Sequence, residues 1–292
     1  MKCEFREGTR VELFNEINQW ARRRTPELSE KAVCLLTGKR GTGKSTIASE
    51  FARRRHEKKD YGAWFFFVRD VEDLNSTRLV FPTLAHQLAQ SQHALRPHIV
   101  CAAREYLKGG KDQRMAIQAQ SLVHGPVHKV SSTHPPVFLV VDALDECAKD
   151  MDTLVPKMLD LLVESVGKAR FPLRIFMTSC PNTVIEAALA AAQWAPLVHT
   201  ISLDSLPPED IRRDMVAVTN DRLTKLPPGP GRASLEQVPD VATRLVARAE
   251  GQFVYAETAL DFLNDYPRFV HDRVDTLLSG GSSTFAAKLG PL

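Results

Sequence analysis

The sequence lacks the patterns that indicate a thiolate metal site, a disulfide framework or a membrane segment. Its five cysteines form no Cys-x-x-Cys pair, which disfavours both a zinc site and a set of structural disulfides. The first residues carry no apolar core of the kind found in a signal peptide, and no apolar run is long enough to span a bilayer. We therefore expect a reducing, cytoplasmic environment and no membrane partner.

Charge of one sign is also scarce. The chain has 38 lysines and arginines against 35 acidic residues, a formal net charge of +3. So small an excess gives no reason to expect a nucleic-acid partner. What the chain does have is 292 residues, of which 43% are hydrophobic and 25% are charged. These values are typical of a globular protein with one large domain and a smaller one.

Apolar segments alternate with amphipathic ones through the first two thirds of the chain. Because the predicted strands are apolar along their whole length, both faces of their sheet must be covered. The pattern predicts an α/β fold, a three-layer sandwich with a mostly parallel five-stranded sheet. The predicted strands cover residues 32–37, 62–68, 137–142, 173–178 and 197–203, and the predicted helices cover residues 11–23, 45–59, 79–95, 154–166 and 183–192.

The strand pattern stops near residue 206. Beyond it, residues 209–226 and 239–277 are predicted to be helical, and a proline- and glycine-rich loop at 227–231 separates them. We expect a smaller all-helical domain after the α/β domain. The expected segments are an amino-terminal helix and linker at 1–26, the α/β domain at 27–205, the helical domain at 206–278 and a disordered tail at 279–292.

Residues 38–45 fit the spacing Gly-x-x-x-x-Gly-Lys-Ser in full. Glycines allow a turn with positive φ, so that successive N–H groups surround a phosphate. The helix that follows adds the partial positive charge of its N-terminus. A glycine turn that merely precedes a helix is the alternative, but the strand before and the helix after favour a P-loop NTPase fold. The residues expected to bind nucleotide here are Gly38, Lys39, Arg40, Gly41, Thr42, Gly43, Lys44, Ser45 and Thr46.

Three of these residues have distinct expected roles. Lys44 reaches the β- and γ-phosphates, the Ser45 hydroxyl coordinates Mg²⁺, and Thr46 contacts the α-phosphate. The sequence thus predicts a nucleotide, ATP or ADP with GTP as an alternative, bound together with Mg²⁺.

An acidic segment follows the apolar strand at 137–141. Its first carboxylate, Asp142, is expected to emerge beside the phosphate loop as a magnesium ligand. Glu146 is the favoured general base for the attacking water, and Asp145 is the second catalytic candidate, or an outer-shell partner of the metal. The alternative is a buried strand with a solvated acidic turn. Arg69, after the second predicted strand, is either a γ-phosphate contact or a surface arginine.

Several segments together carry a resemblance to a known family. They include Gly-Thr-Arg at 8–10, LLTGKRGTGKSTIA at 35–48, GAWFFFVRD at 62–70, PTLAHQLA at 82–89, VVDALDEC at 140–147, IFMTSCP at 175–181 and AEGQFVYAETALDFL at 249–263. The sequence resembles the NACHT family of P-loop NTPases, of the STAND class, in its fungal, NLR-like form. The more specific mark is the small residue Ala143 after the strand aspartate, followed by two acidic residues.

The resemblance implies a regulatory switch. In that family an ADP-bound closed state opens on exchange for ATP, self-associates and presents an attached signalling domain. Fungal members act in non-self recognition and cell-death signalling, a form of innate immunity. By this resemblance we expect self-association in the triphosphate state, an unknown protein effector, and slow or impaired hydrolysis.

Two departures from the family pattern bear on that expectation. Cys180 stands where the family usually has an arginine that senses the γ-phosphate, which weakens the case for hydrolysis more than for binding. The chain also shows no effector domain ahead of the NACHT-like region and no repeats after it, as a fragment, a shortened product or a decoy would.

Three other functions are compatible with parts of the sequence. A non-hydrolysing partner-binding module or decoy is the main alternative. A small-molecule kinase needs an arginine-rich lid, for which residues 108–129 offer only Arg114. A DNA-remodelling AAA+ ATPase needs a basic face, which the net charge does not favour.

Overall fold

A computed structural model of the protein describes residues 5–23, 25–109, 114–130, 136–167 and 171–265. Its central element is a parallel five-stranded sheet in the order β2-β3-β4-β1-β5. The expected α/β fold with a five-stranded sheet is therefore confirmed. The strands are β1 (Val33–Thr37), β2 (Tyr61–Phe66), β3 (Val137–Asp142), β4 (Leu173–Ser179) and β5 (Val198–Ser202).

The strand order determines which strand ends are neighbours. Thr37 at the end of β1 pairs in register with Ser179 at the end of β4, and β4 pairs on its other side with β3. The strand β4 lies between β3 and β1, so one strand separates the end of β3 from the strand that leads into the phosphate loop. Parallel pairing still brings the carboxyl ends of all three strands to one edge of the sheet.

Helices cover both faces of this sheet. On one face, Trp20 of the first helix and Phe51 of the helix after the phosphate loop pack against Phe138 and Phe176 of the strands. The Phe51 and Phe176 rings are stacked with centroids 4.7 Å apart. On the other face, strand residues such as Phe65 join a large apolar core with helical residues such as Leu84 and Leu162. The helices of this part are α1 (Val11–Ala21), α2 (Pro26–Ser29), α3 (Lys44–Glu57), α4 (Val80–Ser91), α5 (Arg96–Lys108), α6 (Met115–Gln118), α7 (Gly125–His128), α8 (Val155–Gly167) and α9 (Thr183–Leu189).

The region after α4 departs most from the sequence-based expectation. The helix predicted at 79–95 ends at Ser91, and α5 forms over Arg96–Lys108, where no helix was predicted. The second residue of α5 is Pro97, whose fixed φ and missing N–H suit the first turn of a helix. Between α6 and α7 the chain adopts a π-helical turn, Ala119–His124.

The contacts within the chain define two compact units. Among the described residues, the first unit comprises residue 5, residues 12–38 and residues 44–204. The second comprises residues 6–11, 39–43 and 205–265. The segment boundaries expected from the sequence stay predictions, and the expected tail at 279–292 lies outside the described residues.

The second unit is largely helical. It contains α10 (Pro208–Lys225), α11 (Pro230–Glu236), α12 (Val241–Arg248) and α13 (Phe253–Asp265). The expectation of a single helix over 239–277 is wrong in its first part, because the chain breaks at Glu250 and Gly251 with φ values of 47° and 83°; residues 266–277 lie outside the described residues. The apolar core of this unit includes Leu235, Leu245 and Leu260.

Within the described ranges, none of the helices is both long enough and apolar enough to cross a membrane.

Candidate nucleotide-binding site

The phosphate loop connects β1 to α3. The strand ends at Thr37 and the helix begins at Lys44. Between them, Gly41 and Gly43 have φ values of 76° and 94°, a region that residues with side chains rarely adopt. The glycines of the motif therefore stand where the backbone needs them. Arg40 and its neighbour Lys39 are exposed on this loop.

Lys44 extends from the first turn of α3 towards the end of β4. Its side chain is largely buried, with 8% of the residue exposed. Its Nζ donates to the Gly38 carbonyl at 2.6 Å and to Cys180 Sγ at 3.3 Å. Sequence separates Lys44 from Cys180 by 136 positions, and the pairing of β1 with β4 brings them together. The cation expected to face the phosphates is thus at the carboxyl edge of the sheet.

Ser45 and Thr46 occupy the first turn of α3 and are half-buried. This helix is 14 residues long, so its N-terminus carries the full partial positive charge of a helix end. A hydroxyl and several N–H groups at this position suit an anion and its counter-cation.

Asp142 is held at the end of β3 by a residue that the sequence reasoning missed. The Thr178 hydroxyl donates to Asp142 Oδ1 at 2.5 Å and accepts from the Ala143 N–H at 2.9 Å. Asp142 is 1% exposed and Thr178 is 0% exposed. A hydroxyl that accepts one hydrogen bond and donates another has one orientation. Thr178 therefore fixes the rotamer of the Asp142 carboxylate, and a polar residue near the end of the apolar strand β4 was the available sequence signal.

Ala143 turns the chain sharply after β3. It has φ 58° and ψ 49°, the left-handed conformation that costs a residue with a Cβ roughly 1–2 kcal/mol. A small side chain is the least crowded non-glycine choice there, which explains the small residue of the motif. The turn leads into a short 3₁₀ segment, Leu144–Glu146, so that both following carboxylates stay near the sheet edge.

Asp145 is engaged with the end of β4. Its Oδ1 accepts the backbone N–H of Cys180 at 2.8 Å. Burial raises the pKa of the Cys180 thiol; the neighbouring Asp145 raises it further, and Lys44 opposes the shift. The thiol therefore stays protonated and neutral at neutral pH. The NACHT resemblance predicts a cation at this position, where this chain presents a neutral sulfur beside Lys44 and Asp145.

Glu146 and Arg69 form a second contact at the same edge. Glu146 Oε2 accepts the backbone N–H of Arg69 at 3.2 Å, and the Arg69 guanidinium donates to the Asp145 carbonyl at 3.4 Å. Arg69 is exposed and Glu146 is half-exposed. Through these contacts Arg69 packs on the acidic turn. Its expected role at the γ-phosphate stays a prediction.

The hydroxyl and carboxylate oxygens at the sheet edge are suitable ligands for a magnesium ion. Hydroxyl and carboxylate oxygens are hard ligands, which Mg²⁺ prefers. One Asp142 oxygen accepts from Thr178, and a carboxylate has further lone pairs for a metal or a metal-bound water. Magnesium in such sites retains waters and phosphate oxygens. It therefore needs no cluster of three or more acidic, histidine or cysteine side chains, and the described part of the chain contains none.

Comparison with known families assigns the chain. The family model described as "Nephrocystin 3, N-terminal" matches residues 8–180, which is more than half of the 292 residues. The chain belongs to the nephrocystin 3 N-terminal family. The matched range of this nephrocystin-type chain contains the phosphate loop, the acidic turn and the end of β4. No curated protein matches the chain.

Two solved structures resemble this nephrocystin-type chain at low sequence identity. One is described as Drosophila ORC bound to DNA, with a TM-score of 0.47 and 15% identity over 96% of this chain and 66% of that one. The other is a Walker-type ATPase of Pyrococcus abyssi, with a TM-score of 0.47 and 12% identity over 89% of this chain and 75% of that one. The chain thus spans just under two thirds of the length of the first.

Proposed function

We propose that this protein is a nucleotide-dependent switch of the NACHT type, which binds ATP and ADP with Mg²⁺ and hydrolyses ATP at a slow or impaired rate. The observation that carries the proposal is the phosphate loop, with Gly41 and Gly43 at positive φ directly before the buried Lys44. Nothing in the loop distinguishes adenine from guanine, so GTP is a second candidate ligand.

Binding follows from the charges at the loop. The N–H groups of the loop and of the first turn of α3 face an anion favourably, and Lys44 supplies a full positive charge. When bound, magnesium would neutralise part of the charge of the phosphates. Ser45 and Asp142 are the residues that would hold it, with Thr178 fixing the carboxylate.

Slow turnover follows from the groups around the γ-phosphate position. Glu146 supplies a carboxylate that can accept a proton from an attacking water. Stabilising the charge that develops on the transferred phosphoryl group is worth several orders of magnitude in rate when an arginine does it. The neutral thiol of Cys180 cannot supply that charge. We infer that the protein holds its nucleotide for long periods, as a switch requires.

The signalling role extends this proposal through the family resemblance. The segments at 35–48, 140–147 and 249–263 are the parts that resemble NACHT proteins. We propose a cytoplasmic role in fungal non-self recognition or cell-death signalling. Its partners are a second copy of the chain in the triphosphate state and a protein effector.

The nucleotide content of the purified protein tests the binding proposal. We expect bound ADP or ATP to be released on denaturation and detected by ion-exchange chromatography. A single-turnover assay with labelled ATP then measures hydrolysis, and we expect a rate well below the usual kinase scale of about 1–100 s⁻¹. Protein free of nucleotide that also fails to bind added Mg·ATP or Mg·GTP would contradict the proposal.

A non-hydrolysing partner-binding module is the second candidate. Cys180 favours it, because its sulfur lies 3.3 Å from Lys44 Nζ and offers no charge to the γ-phosphate. This candidate predicts tight nucleotide binding with no product formed in the single-turnover assay. A measurable rate that depends on Glu146 would instead support the hydrolysing switch.

A further inference from the structure

The apex of the phosphate loop, residues 39–43, is packed within the helical unit together with the segment 6–11. This segment contains the Gly-Thr-Arg motif. The nucleotide binding and hydrolysis proposed for this protein do not use that motif. Its arginine, Arg10, is only 7% exposed. Burial lowers its pKa while Asp214 raises it, and a guanidinium remains charged at neutral pH in either case.

Three contacts hold Arg10 in place. Its backbone N–H donates to Asp214 Oδ2 at 2.9 Å. Its guanidinium lies over the Phe253 ring, with 4.8 Å from Cζ to the centroid, within the range of a cation–π contact. Its Nη2 donates to the Thr42 carbonyl at 3.1 Å. The backbone of Arg10 has φ 53°, an unfavourable conformation for a residue with a side chain. Such strain persists where the surrounding contacts impose it.

The contact with Thr42 constrains the direction of a loop N–H group. A trans peptide unit is planar, so the carbonyl of one residue and the N–H of the next point in opposite directions. A donor that holds the Thr42 carbonyl therefore directs the Gly43 N–H to the opposite side. The Val254 N–H donates to the Gly41 carbonyl at 3.4 Å, which constrains the Thr42 N–H in the same way.

The loop apex is also packed closely at Gly41. A Cβ at this position would lie 3.3 Å from Gln252 Cβ and 3.4 Å from Val254 Cγ1. The first residues of α13 and the segment before it thus restrict the same loop that Arg10 holds by its carbonyl. The loop conformation depends on these contacts as well as on its own glycines.

We propose that Arg10 is a positioning residue for the phosphate loop, holding the Thr42 carbonyl so that the loop N–H groups face a bound polyphosphate. This inference rests on the proposed nucleotide binding and adds a role for the amino-terminal Gly-Thr-Arg motif. In this role Arg10 acts on the phosphates through the loop backbone, by its hydrogen bond to the Thr42 carbonyl. Substitution of Arg10 should therefore lower the affinity by the same factor for any ligand that carries the phosphate chain.

Binding of Mg·ATP and of inorganic tripolyphosphate to the full chain tests this. Arg10→Gln should weaken both ligands by the same factor, about tenfold, as expected for the loss of one charge-assisted hydrogen bond. Arg10→Lys keeps the charge but not the planar guanidinium group. Its affinity for each ligand should lie between that of Arg10→Gln and that of the wild type. Arg212→Gln, an exposed arginine of the same unit, is the matched control and should bind both ligands like the wild type.

Two outcomes overturn the inference while leaving nucleotide binding intact. One is unchanged affinity of Arg10→Gln for both ligands. The other is a loss for ATP alone, which would place Arg10 at the nucleoside rather than at the loop. If Arg10→Gln does not fold, Phe253→Leu removes the ring beneath the guanidinium and should give a smaller loss, again equal for both ligands. A wild-type protein that binds neither ligand would refute the proposed function, and the inference with it.

Discussion

The hydroxyl of Thr178 binds both the carboxylate at the end of β3 and the turn that follows it. It donates to the Asp142 carboxylate and accepts from the Ala143 N–H, so it holds both the metal-ligand candidate and the turn after it. Groups that orient a metal ligand commonly change metal affinity by about 10–100-fold when they are removed.

Thr178→Val keeps the shape of the side chain and removes the hydroxyl. We expect the Mg²⁺ concentration for half-maximal ATP binding to rise by about tenfold or more, because Asp142 is no longer held in one rotamer. ATP binding measured in EDTA should not change. Thr200→Val, an exposed threonine on β5, is the control. The same magnesium dependence in all three proteins would mean that Thr178 has only a structural role.

Glu146 is the favoured proton acceptor. Glu146→Gln retains an oxygen that can accept the Arg69 N–H but cannot take a proton from water. We expect single-turnover hydrolysis to fall by about 100-fold or more, with ATP affinity unchanged. Glu57→Gln, at the exposed end of α3, should hydrolyse like the wild type. Equal rates in Glu146→Gln and wild type would leave Asp145 as the candidate base.

Cys180 is the residue that sets this chain apart from the NACHT pattern. Cys180→Arg introduces a cation at the end of β4, within reach of the carboxylate of Asp145. We expect hydrolysis or self-association with Mg·ATP to increase, with the rate rising by about tenfold or more. Turnover assays and light scattering measure the two effects. Cys180→Ser, which stays neutral, should behave like the wild type; no change in the arginine variant would show that this position does not sense the γ-phosphate.

At the scale of elements, helix α1 and the chain after it are tied to the sheet by a buried arginine in β4. The guanidinium of Arg174 donates to the carbonyls of Trp20, Leu28 and Lys31 and lies 4.7 Å from the Trp20 ring centroid. Burial lowers the pKa of Arg174 to about 10, which still leaves it charged at neutral pH.

Arg174→Met fills a similar volume but donates no hydrogen bond. The three carbonyls then lose a donor, and we expect the free energy of unfolding to fall by about 2–4 kcal/mol. Urea unfolding followed by tryptophan fluorescence measures the change. Arg22→Met, on the exposed side of the same region, should change it by less than about 0.5 kcal/mol. A loss no greater in Arg174→Met than in this control would contradict the anchoring role.

Elements with a strong pattern were predictable from the sequence, and those that depend on tertiary contacts were not. The strand β3 was predicted at its observed bounds because an unbroken apolar run ends at a charged residue. The helix α5 was missed, since its sequence is mixed and only Ile99 is fully buried. The break before α13 was also missed, because Glu250 adopts a positive φ that its own side chain does not favour.

At the scale of the whole molecule, the sequence indicated the fold class and the phosphate-loop motif, because phosphate binding requires fixed residue types at a fixed spacing. It could not indicate that β4 lies between β1 and β3, since strand order depends on long-range pairing. The same applies to the contacts Thr178–Asp142 and Arg10–Thr42, whose partners are 36 and 32 positions apart. Side-chain pairs of this kind leave no short-range pattern in a single sequence.

The central claim is that residues 38–45 bind a nucleoside triphosphate, and equilibrium binding of labelled ATP with Mg²⁺ to the wild type and to Lys44→Ala tests it most directly. We expect saturable binding to the wild type and to the control Lys58→Ala, which changes a lysine just beyond α3. We expect a loss of affinity of at least about 100-fold in Lys44→Ala, because this substitution removes the buried cation that would face the phosphates. Equal affinity in Lys44→Ala and the wild type would contradict it.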